Sequence, residues 1–403
     1  MADLALRGLA PETVRLVRQV RAWSVEQVRP LARLADQMHD IPDAARAALG
    51  TCPVQGPPVG GGLDYPGRGT ADFDETATDG PNVLGVSLME ALSYGDVLAH
   101  TLTSEGESLA DHVVKAVGSP DQVRNFSGAI AGGVYNLMAF AMTEPDCGSD
   151  PARISTTVRR HRDGWVLNGR KVFCSNGAVA DLLLVFATID LGLGHRGIRA
   201  VVVERRTPGV HIVKGNERKL GWRSMMTTEL AFENAVVPYD ALLGGETDNT
   251  SGLRDGLGAL NFTRGYMGAM VVGIAQAAVD EGRRVLGLER DSWNPRRRVQ
   301  LDEELSRMDW ALHRARLLSR RFASLADNGL PYARSGSIAK AWAPPVAEQV
   351  VLRVLQLLGS AGYSETGLLE KWHRDVKIFD IFEGTGNIQR LTIGRHLRAL
   401  TPA

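Results

Sequence analysis

Glu383 is a carboxylate set among apolar neighbours, in the segment Ile381-Phe382-Glu383-Gly384-Thr385 near the C-terminus. Apolar surroundings remove water from a carboxylate and raise its pKa toward the range where it can accept a proton at neutral pH. Glu383 is therefore a candidate general base if the chain is an enzyme. The alternative is an acid at the start of a helix, where the helix dipole favours a negative charge.

The composition excludes several classes of function. The chain has 403 residues, of which 44% are hydrophobic and 23% are charged, so it can form two or three domains with a large core. Its 46 basic residues are balanced by 46 acidic ones. With no net charge, the chain is not expected to bind nucleic acid or an acidic membrane electrostatically.

The three cysteines, Cys52, Cys147 and Cys174, form no disulfide framework and no zinc spacing, which favours a cytoplasmic location. The nine histidines are dispersed without an HExxH pair, so no metal site is predicted. No apolar stretch approaches the roughly 18 residues of a membrane span. Residues 1–23 also lack the apolar core of a signal peptide.

The pattern along the chain predicts three domains, a helical domain over 1–138, a β domain over 139–247 and a second helical domain over 248–403. Apolar residues recur at helical spacing in both outer domains. Pro30 is expected to kink or split the first of these helices. The predicted helices are 11–38, 83–102, 109–117, 266–286, 301–327, 345–358, 368–378 and 388–400.

The middle of the chain has short β-branched and apolar segments between turn residues. The predicted strands are 165–173, 182–189, 198–204 and 229–232. Asp163-Gly164 and Asn168-Gly169 are dipeptides typical of hairpin turns. This pattern predicts a small antiparallel barrel or sandwich.

A GxGxxG match at 192–197 follows one of these strands. A dinucleotide-binding fingerprint must open a helix, so that the pyrophosphate meets the helix N-terminus. Here the next segment, 198–204, is rich in β-branched residues and predicts a second strand. We therefore interpret the glycines as a loop that joins two strands.

The densest motif runs from Phe140 to Asp150 and contains Thr143-Glu-Pro-Asp-Cys-Gly-Ser149. Its proline and glycine force a turn, and backbone N–H groups around Ser149 could bind an anion. The alternative is an ordinary turn in which Thr143 and Ser149 bind local backbone groups.

A second motif, Asn168 to Gly177, places Phe173 two residues before Ser175, and such residues share one face of a strand. That face could support a flat heterocycle, although an ordinary half-buried strand has the same pattern. A third motif, Gln356 to Tyr363, carries glycines that permit close approach of a ligand or of another backbone. A helix C-cap and turn is the alternative there.

Together these motifs resemble the acyl-CoA dehydrogenase family. The first matches the family's apolar-Thr-Glu-Pro-x-x-Gly-Ser-Asp, and the second resembles Asn-Gly-x-Lys-x-Trp-Ile-Thr-Asn, with Phe173 for tryptophan and Ser175 for threonine. The segment from Glu383 to Arg390 resembles Glu-Gly-Thr-x-Gln-Ile-Gln-Arg. The similarity covers about residues 83–400.

The resemblance implies an α+β multidomain fold: an N-terminal helical domain, a middle β-barrel or sandwich domain and a C-terminal four-helix bundle. It also implies FAD between the middle and C-terminal domains, with a neighbouring subunit of a dimer or tetramer completing the site. The implied FAD-binding residues are Phe140, Met142, Thr143, Ser149, Phe173, Ser175, Arg290, Gln300, Gln356, Gly359, Ser360, Thr385 and Asn387. The implied substrate-binding residues are Ser149, Asn261, Arg264 and Gly384.

The implied activity is α,β-dehydrogenation of an acyl thioester carried by CoA or by an acyl-carrier protein. Glu383 would abstract the α-proton while the β-hydrogen leaves as hydride to flavin N5. Some members carry the base just before the arginine that matches Arg264, and Thr263 occupies that position here. Glu383 is thus the motif-matched base. An electron-transfer flavoprotein is the family's usual acceptor, and another acceptor is the alternative.

Several positions depart from the family pattern. Trp293 and Asn294 stand where the family has Phe-Gly after its arginine. The following glutamine falls at Val299 by helix register, with Gln300 one place off. Residues 59–63 replace a Tyr-Gly-Gly passage in the half that shapes the acyl pocket, so an unusual substrate is expected.

Two rival functions remain open on the same fold. A flavin-dependent oxidase or monooxygenase would let reduced flavin meet oxygen, but such monooxygenases generally lack the glutamate that Glu383 matches. A non-catalytic or nucleic-acid-associated relative would need a basic C-terminal face beyond the family core, and the sequence reaches Ala403 soon after the last motif.

Overall fold

The computed structural model describes residues 4–54, 79–103, 109–245, 252–288 and 293–398. The chain divides into two compact units. One unit, here called the helical unit, comprises Met1–Thr103, Lys219–Ser224 and Asn261–Ala403. The other, here called the β unit, comprises Ser104–Arg218 and Met225–Leu260. The predicted domain boundaries at 138 and 247 stay a prediction.

The N-terminal part of the helical unit is a series of short helices. They are α1 (Pro11–Trp23), α2 (Ala32–Met38), α3 (Asp43–Leu49), α4 (Pro81–Gly95) and α5 (Val97–Thr103). A π turn and a 3-10 turn separate α1 from α2, and the 3-10 turn contains Pro30. The predicted split of this helix at Pro30 is confirmed, since proline cannot donate an intrahelical hydrogen bond.

The C-terminal part has three long helices, α8 (Gly252–Leu288), α9 (Pro295–Asp327) and α10 (Ala333–Leu358), followed by the shorter α11 (Leu369–Val376) and α12 (Gly386–Arg398). The predicted start of α10 at Pro345 is wrong, because both Pro344 and Pro345 lie inside the helix. Their missing N–H groups deprive the carbonyls of Lys340 and Ala341 of the usual donors. Tertiary packing outweighs that loss, because one face of α10 from Ala339 to Val354, including Pro344, is buried.

The β unit contains α6 (Leu109–Val117), α7 (Pro120–Ala131) and a seven-stranded sheet. The strands are β1 (Met138–Ala141), β2 (Thr157–His161), β3 (Gly164–Ser175), β4 (Leu182–Thr188), β5 (Ile198–Glu204), β6 (Val210–Lys214) and β7 (Thr227–Val237). Their order is β1-β4-β2-β3-β7-β6, and β5 also pairs with β4. Every residue of β4 is buried, which agrees with its continuous apolar run.

The sheet differs from the predicted antiparallel arrangement in one respect. Strand β1 pairs with β4 in parallel, and β2 meets β4 in parallel at Thr157. The other pairs are antiparallel. The parallel pairs were not visible in the sequence, because local turn signals report only strands that follow one another directly.

The two dipeptides that were predicted to form hairpin turns differ from each other in the structure. Asp163-Gly164 lies at the turn between β2 and β3, as predicted. Asn168-Gly169 is not a hairpin turn, because it lies within β3 at an irregularity in the pairing with β7. A Cβ atom on Gly169 would come within 2.5 Å of the Thr156 hydroxyl oxygen, so the glycine allows a close packing contact.

The GxGxxG segment forms 3-10 turns between the antiparallel strands β4 and β5. The interpretation of its glycines as a strand-joining loop is confirmed. No helix among the described ranges is long and apolar enough to cross a membrane. The cytoplasmic location stays a prediction.

Candidate active site

Glu383 lies between the 3-10 turn Lys377–Asp380 and the start of α12. Its backbone has φ 55°, in the left-handed region that is uncommon for residues other than glycine. Such a conformation costs about 1–3 kcal/mol and persists only where the surroundings enforce it. The fold therefore holds Glu383 in a fixed and unfavourable backbone geometry, and the side chain is half-buried.

The Glu383 carboxylate has one hydroxyl donor and two nearby cations. The Thr263 hydroxyl of α8 donates to Glu383 Oε2. Burial raises the pKa of Glu383, while the Thr263 hydrogen bond and the charges of Arg264 and Lys340 act in the opposite direction. A raised pKa brings the carboxylate closer to the proton affinity that a base needs at neutral pH.

Three of the four predicted substrate residues lie around Glu383, and the fourth, Ser149, belongs to the β unit. Arg264 Nη1 donates to Asn261 Oδ1, and Arg264 Nε lies 3.4 Å from the Glu383 carbonyl oxygen. A Cβ atom on Gly384 would be 3.6 Å from Arg264 Nη2. The structure thus brings Asn261, Arg264, Glu383 and Gly384 together within the helical unit.

The first turn of α12 fixes the segment from the other side. Gln389 Nε2 lies 3.3 Å from the Glu383 carbonyl oxygen and 3.1 Å from the Gly384 carbonyl oxygen. The Thr385 hydroxyl accepts from the Ile388 N–H, so it caps α12. Asn387 is exposed. The FAD contacts implied for Thr385 and Asn387 stay predictions.

In the β unit, a buried ion pair connects the first two motifs. Lys171 Nζ of β3 donates to Glu144 Oε1 at 2.8 Å and to the Met142 carbonyl at 2.9 Å. The Glu144 carboxylate also accepts from the N–H and hydroxyl of Ser155 and from the N–H of Thr156, at 2.6–2.9 Å. Burial alone would raise the pKa of Glu144, but Lys171 and these donors lower it to about 2.

This pair holds the turn after β1 against β3, and β3 presents Phe173 and Ser175. Both residues are exposed and Cys174 between them is buried, so the aromatic ring and the hydroxyl share a face. Phe173 is 64% exposed and has φ 57°. An exposed phenylalanine in a strained backbone conformation is a candidate contact for a flat ligand.

The remaining predicted positions of the β unit divide into two groups. Phe140 packs inside the unit, with its ring centroid 5.2 Å from that of Phe186, and Met142 joins the same cluster. Ser149 is exposed in the turn that follows the Glu144–Cys147 bridge. The side chain of Phe140 therefore contributes to the core, whereas Ser149 is open to a ligand.

The positions predicted to reach FAD from a neighbouring subunit lie at two helix ends. Gln356, Gly359 and Ser360 are exposed at the C-terminal end of α10, where Gly359 has φ 54°. Gln300 is exposed in the first turns of α9, beside the exposed Val299. Arg290 lies outside the described residues.

The sequence reasoning missed several of the residues that surround Glu383. Gln389 lies in the matched motif but received no role, and Thr263 was noticed only as the place of an alternative base. Lys340 was missed, although it is the one charged residue between Arg334 and Glu348. A lone charge within an apolar helical run was the signal that could have identified it.

Comparisons with known proteins agree with these motifs. Residues 139–235 match the family model for the acyl-CoA dehydrogenase middle domain, and residues 250–398 match the model for its C-terminal domain. The chain is 32% identical over 400 residues to the short-chain specific acyl-CoA dehydrogenase of Bos taurus mitochondria, covering 96% of this chain and 90% of the relative.

Solved structures give the same result. Butyryl-CoA dehydrogenase from Megasphaera elsdenii superposes with a TM-score of 0.84 at 28% identity, covering 97% of this chain and 99% of the other. A chain in the structure of the electron-transferring flavoprotein of Acidaminococcus fermentans gives a TM-score of 0.80 at 28% identity, with coverage of 97% and 99%.

The chain belongs to the acyl-CoA dehydrogenase family. The predicted fold class and the predicted oxidoreductase class, acting on a CH–CH group, are confirmed. FAD is the cofactor of this family, and the residues present fit it. Within the β unit, the exposed Phe173 ring with the Ser175 hydroxyl suits a flat heterocycle. The FAD contacts implied for Gln356 and Ser360, in the helical unit, stay predictions.

Proposed function

We propose that this chain desaturates an acyl thioester between Cα and Cβ, with Glu383 as the base that takes the α-proton. The observation that carries the proposal is the setting of Glu383. Its carboxylate is half-buried and its backbone is held in the left-handed region. It lies in one cluster with Asn261, Arg264 and Gly384, positions that the family resemblance implies bind the thioester.

The reaction needs a proton acceptor and a hydride acceptor. Glu383 takes the α-proton, the electrons of the Cα–H bond form the new double bond, and the β-hydrogen leaves with its electron pair. Bound FAD supplies the acceptor for that hydride at N5. The protein's own residues bind and orient the thioester and accept its α-proton.

Negative charge develops on the thioester oxygen as the α-proton leaves, and a preorganised donor stabilises it. The Glu383 backbone N–H makes no hydrogen bond to another residue in the part of the chain that the structure describes. Its left-handed φ fixes the direction of that N–H group. The same residue can thus supply the base through its side chain and an oxyanion donor through its backbone.

Arg264 and Asn261 are proposed to bind the pantetheine or nucleotide part of the thioester. The Arg264 guanidinium is buried, and burial lowers its pKa while Glu383 raises it. Asn261 and the Glu383 carbonyl hold the guanidinium in one orientation. A fixed cation beside the base would position the substrate for proton transfer.

The names of the relatives support an acyl-CoA with a short acyl chain as the first substrate to test. A thioester on a carrier protein is the alternative. We propose an electron-transferring flavoprotein as the electron acceptor, which the likeness to a chain of the Acidaminococcus structure supports.

We further propose a homo-oligomer. Trp310, Trp342 and Leu391, on three different C-terminal helices, are each more than half exposed. The main support for this proposal is the family resemblance, which implies an FAD site that a neighbouring subunit completes.

The proposed base is tested by anaerobic bleaching of the flavin absorbance with saturated acyl-CoA thioesters. Glu383→Gln is expected to remain yellow and to bleach about 10²–10⁴ times more slowly, the range for loss of a general base. Glu365→Gln is the matched control, because Glu365 is an exposed acid in a loop of the same unit.

Bleaching of Glu383→Gln at the wild-type rate would show that another group is the base. Rapid reoxidation by air with release of peroxide would instead favour an oxidase.

A further inference from the structure

Lys340 is a buried cation on α10 that the proposed reaction does not yet use. Its side chain is fully buried, and it is among the largest fully buried side chains of the chain. Its Nζ atom makes no hydrogen bond to any residue that the structure describes. An ammonium group buried without hydrogen bonds is costly, so its presence requires an explanation.

The neighbours of Lys340 are those of the candidate base. Its Nζ lies 5.9 Å from the ring centroid of Phe382, the residue that precedes Glu383. Asp380 and Glu383 are the acids that act on Lys340, and Arg264 is the nearby cation. Oδ1 of Asp380 is also buried without a hydrogen bond among the described residues. The ammonium group therefore acts on this cluster through its charge and not through a hydrogen bond.

The other buried lysines behave differently. Lys171 is hydrogen-bonded to Glu144, and Lys371 donates to Asp96 and Asp375 at 2.7–2.8 Å. Those hydrogen bonds offset the cost of burying their charge. Lys340 lacks that compensation, and its position beside Glu383 is the feature that distinguishes it.

We propose that Lys340 is a positioning residue for the reaction: its buried charge keeps Glu383 ionised and ready to accept the α-proton. This inference rests on the proposed function of Glu383. Burial lowers the pKa of Lys340 to about 8, against the opposing effect of Asp380 and Glu383. Lys340 therefore remains mostly protonated at neutral pH.

The direction of the effect follows from the charges around the base. Arg264 from α8 and Lys340 from α10 face Glu383 and favour its carboxylate form, and burial opposes them. Asp380, from the preceding 3-10 turn, acts on Lys340 and supports its protonated form. Removal of the Lys340 charge raises the pKa of Glu383, so the base becomes protonated at a higher pH.

The test is the pH profile of kcat/KM in the holoenzyme, with the substrate that bleaches the flavin fastest. In Lys340→Met, the acid limb is expected to move to higher pH. The ratio of activity at the acid end to activity at the alkaline end should fall about tenfold relative to wild type, the effect of a lost neighbouring charge. Lys340→Arg keeps the charge and should restore the wild-type limb. The control is Lys377→Met, which removes a half-exposed lysine paired with Glu348 and should leave the limb unchanged.

An acid limb that does not move in a yellow, folded Lys340→Met enzyme would overturn the inference. If that variant does not retain FAD, Lys340→Gln is measured in the same way with the same expectation. A uniform loss at every pH would indicate a structural role only and would also overturn it. If Glu383→Gln bleaches normally, the proposed base is wrong. If Glu383→Gln is inactive and the limb of Lys340→Met is unmoved, only the role of Lys340 fails.

Discussion

The β unit has a buried glutamate and the helical unit a half-buried one, each close to a buried lysine, and the two arrangements differ in how their charges are satisfied. Glu144 accepts hydrogen bonds from Lys171, Ser155 and Thr156, and its pKa is lowered to about 2. Glu383 accepts one hydrogen bond from Thr263, its pKa is raised, and Lys340 makes no hydrogen bond among the described residues.

The two arrangements suit different roles. The Glu144 carboxylate maintains a structural contact, whereas the Glu383 carboxylate is able to accept a proton. A carboxylate whose lone pairs are filled by donors is a poor base, because protonation would break those hydrogen bonds. A carboxylate desolvated by burial, with few donors, accepts a proton more readily. The same residue types therefore anchor a turn in one unit and, in the function we propose, serve proton transfer in the other.

The largest loss of folding stability is expected when the hydrogen-bonded pair of Glu144 and Lys171 is broken. Glu144→Gln leaves the Lys171 charge buried without a carboxylate, which typically costs about 3–5 kcal/mol. The loss would appear as a lower urea midpoint for the β-rich transition, followed by circular dichroism. The double variant with Lys171→Met should cost less than the sum of the two single variants.

The pH dependence of stability sharpens this prediction. The folded pKa of Glu144 is about 2 and its ordinary value is 4.5, so its contribution is present above about pH 4.5. That contribution is lost as the pH falls from 4.5 toward 2. The wild-type protein should therefore lose stability over this window more steeply than Glu144→Gln. Equal slopes would contradict the assignment of Glu144 as an ionised, fully bonded acid.

The smallest change in folding stability is expected when the Glu383 carboxylate is replaced. Because burial raises the pKa of Glu383, folding favours its protonated form, and its contribution to stability falls as the pH rises through the folded pKa. Glu383→Gln should thus be neutral or stabilising by up to about 1 kcal/mol at neutral pH, within the range of a surface substitution or a small gain. Thermal unfolding of the holoenzyme measures this change. A loss as large as that of Glu144→Gln would remove the contrast between the two units.

Strands and motifs that depend only on neighbouring residues were predictable from the sequence. The apolar and β-branched runs of β4 and β5 predicted these two strands, and the motif around Glu383 identified the candidate base. The start of α10 was not predictable from Pro344 and Pro345, because tertiary burial decides whether a helix continues through proline.

The charged surroundings of the base depend on long-range packing. Thr263 lies 120 positions from Glu383, and only the folded helices place its hydroxyl against the carboxylate. Lys340 shows as a single charge in an apolar run, but its burial and its neighbours become visible only in the structure. The satisfied network of Glu144 likewise combines residues from β3 and from the segment before β2.

The most direct test of the central claim is exchange of the substrate α-proton with deuterated solvent, followed by nuclear magnetic resonance on an acyl-CoA in the anaerobic holoenzyme. Exchange at Cα requires only the base and a polarised thioester, so it reports proton transfer apart from hydride loss. Wild-type enzyme is expected to exchange the α-proton, and Glu383→Gln, with FAD bound and the fold intact, is expected not to. Exchange by Glu383→Gln at the wild-type rate would contradict the assignment of Glu383 as the base.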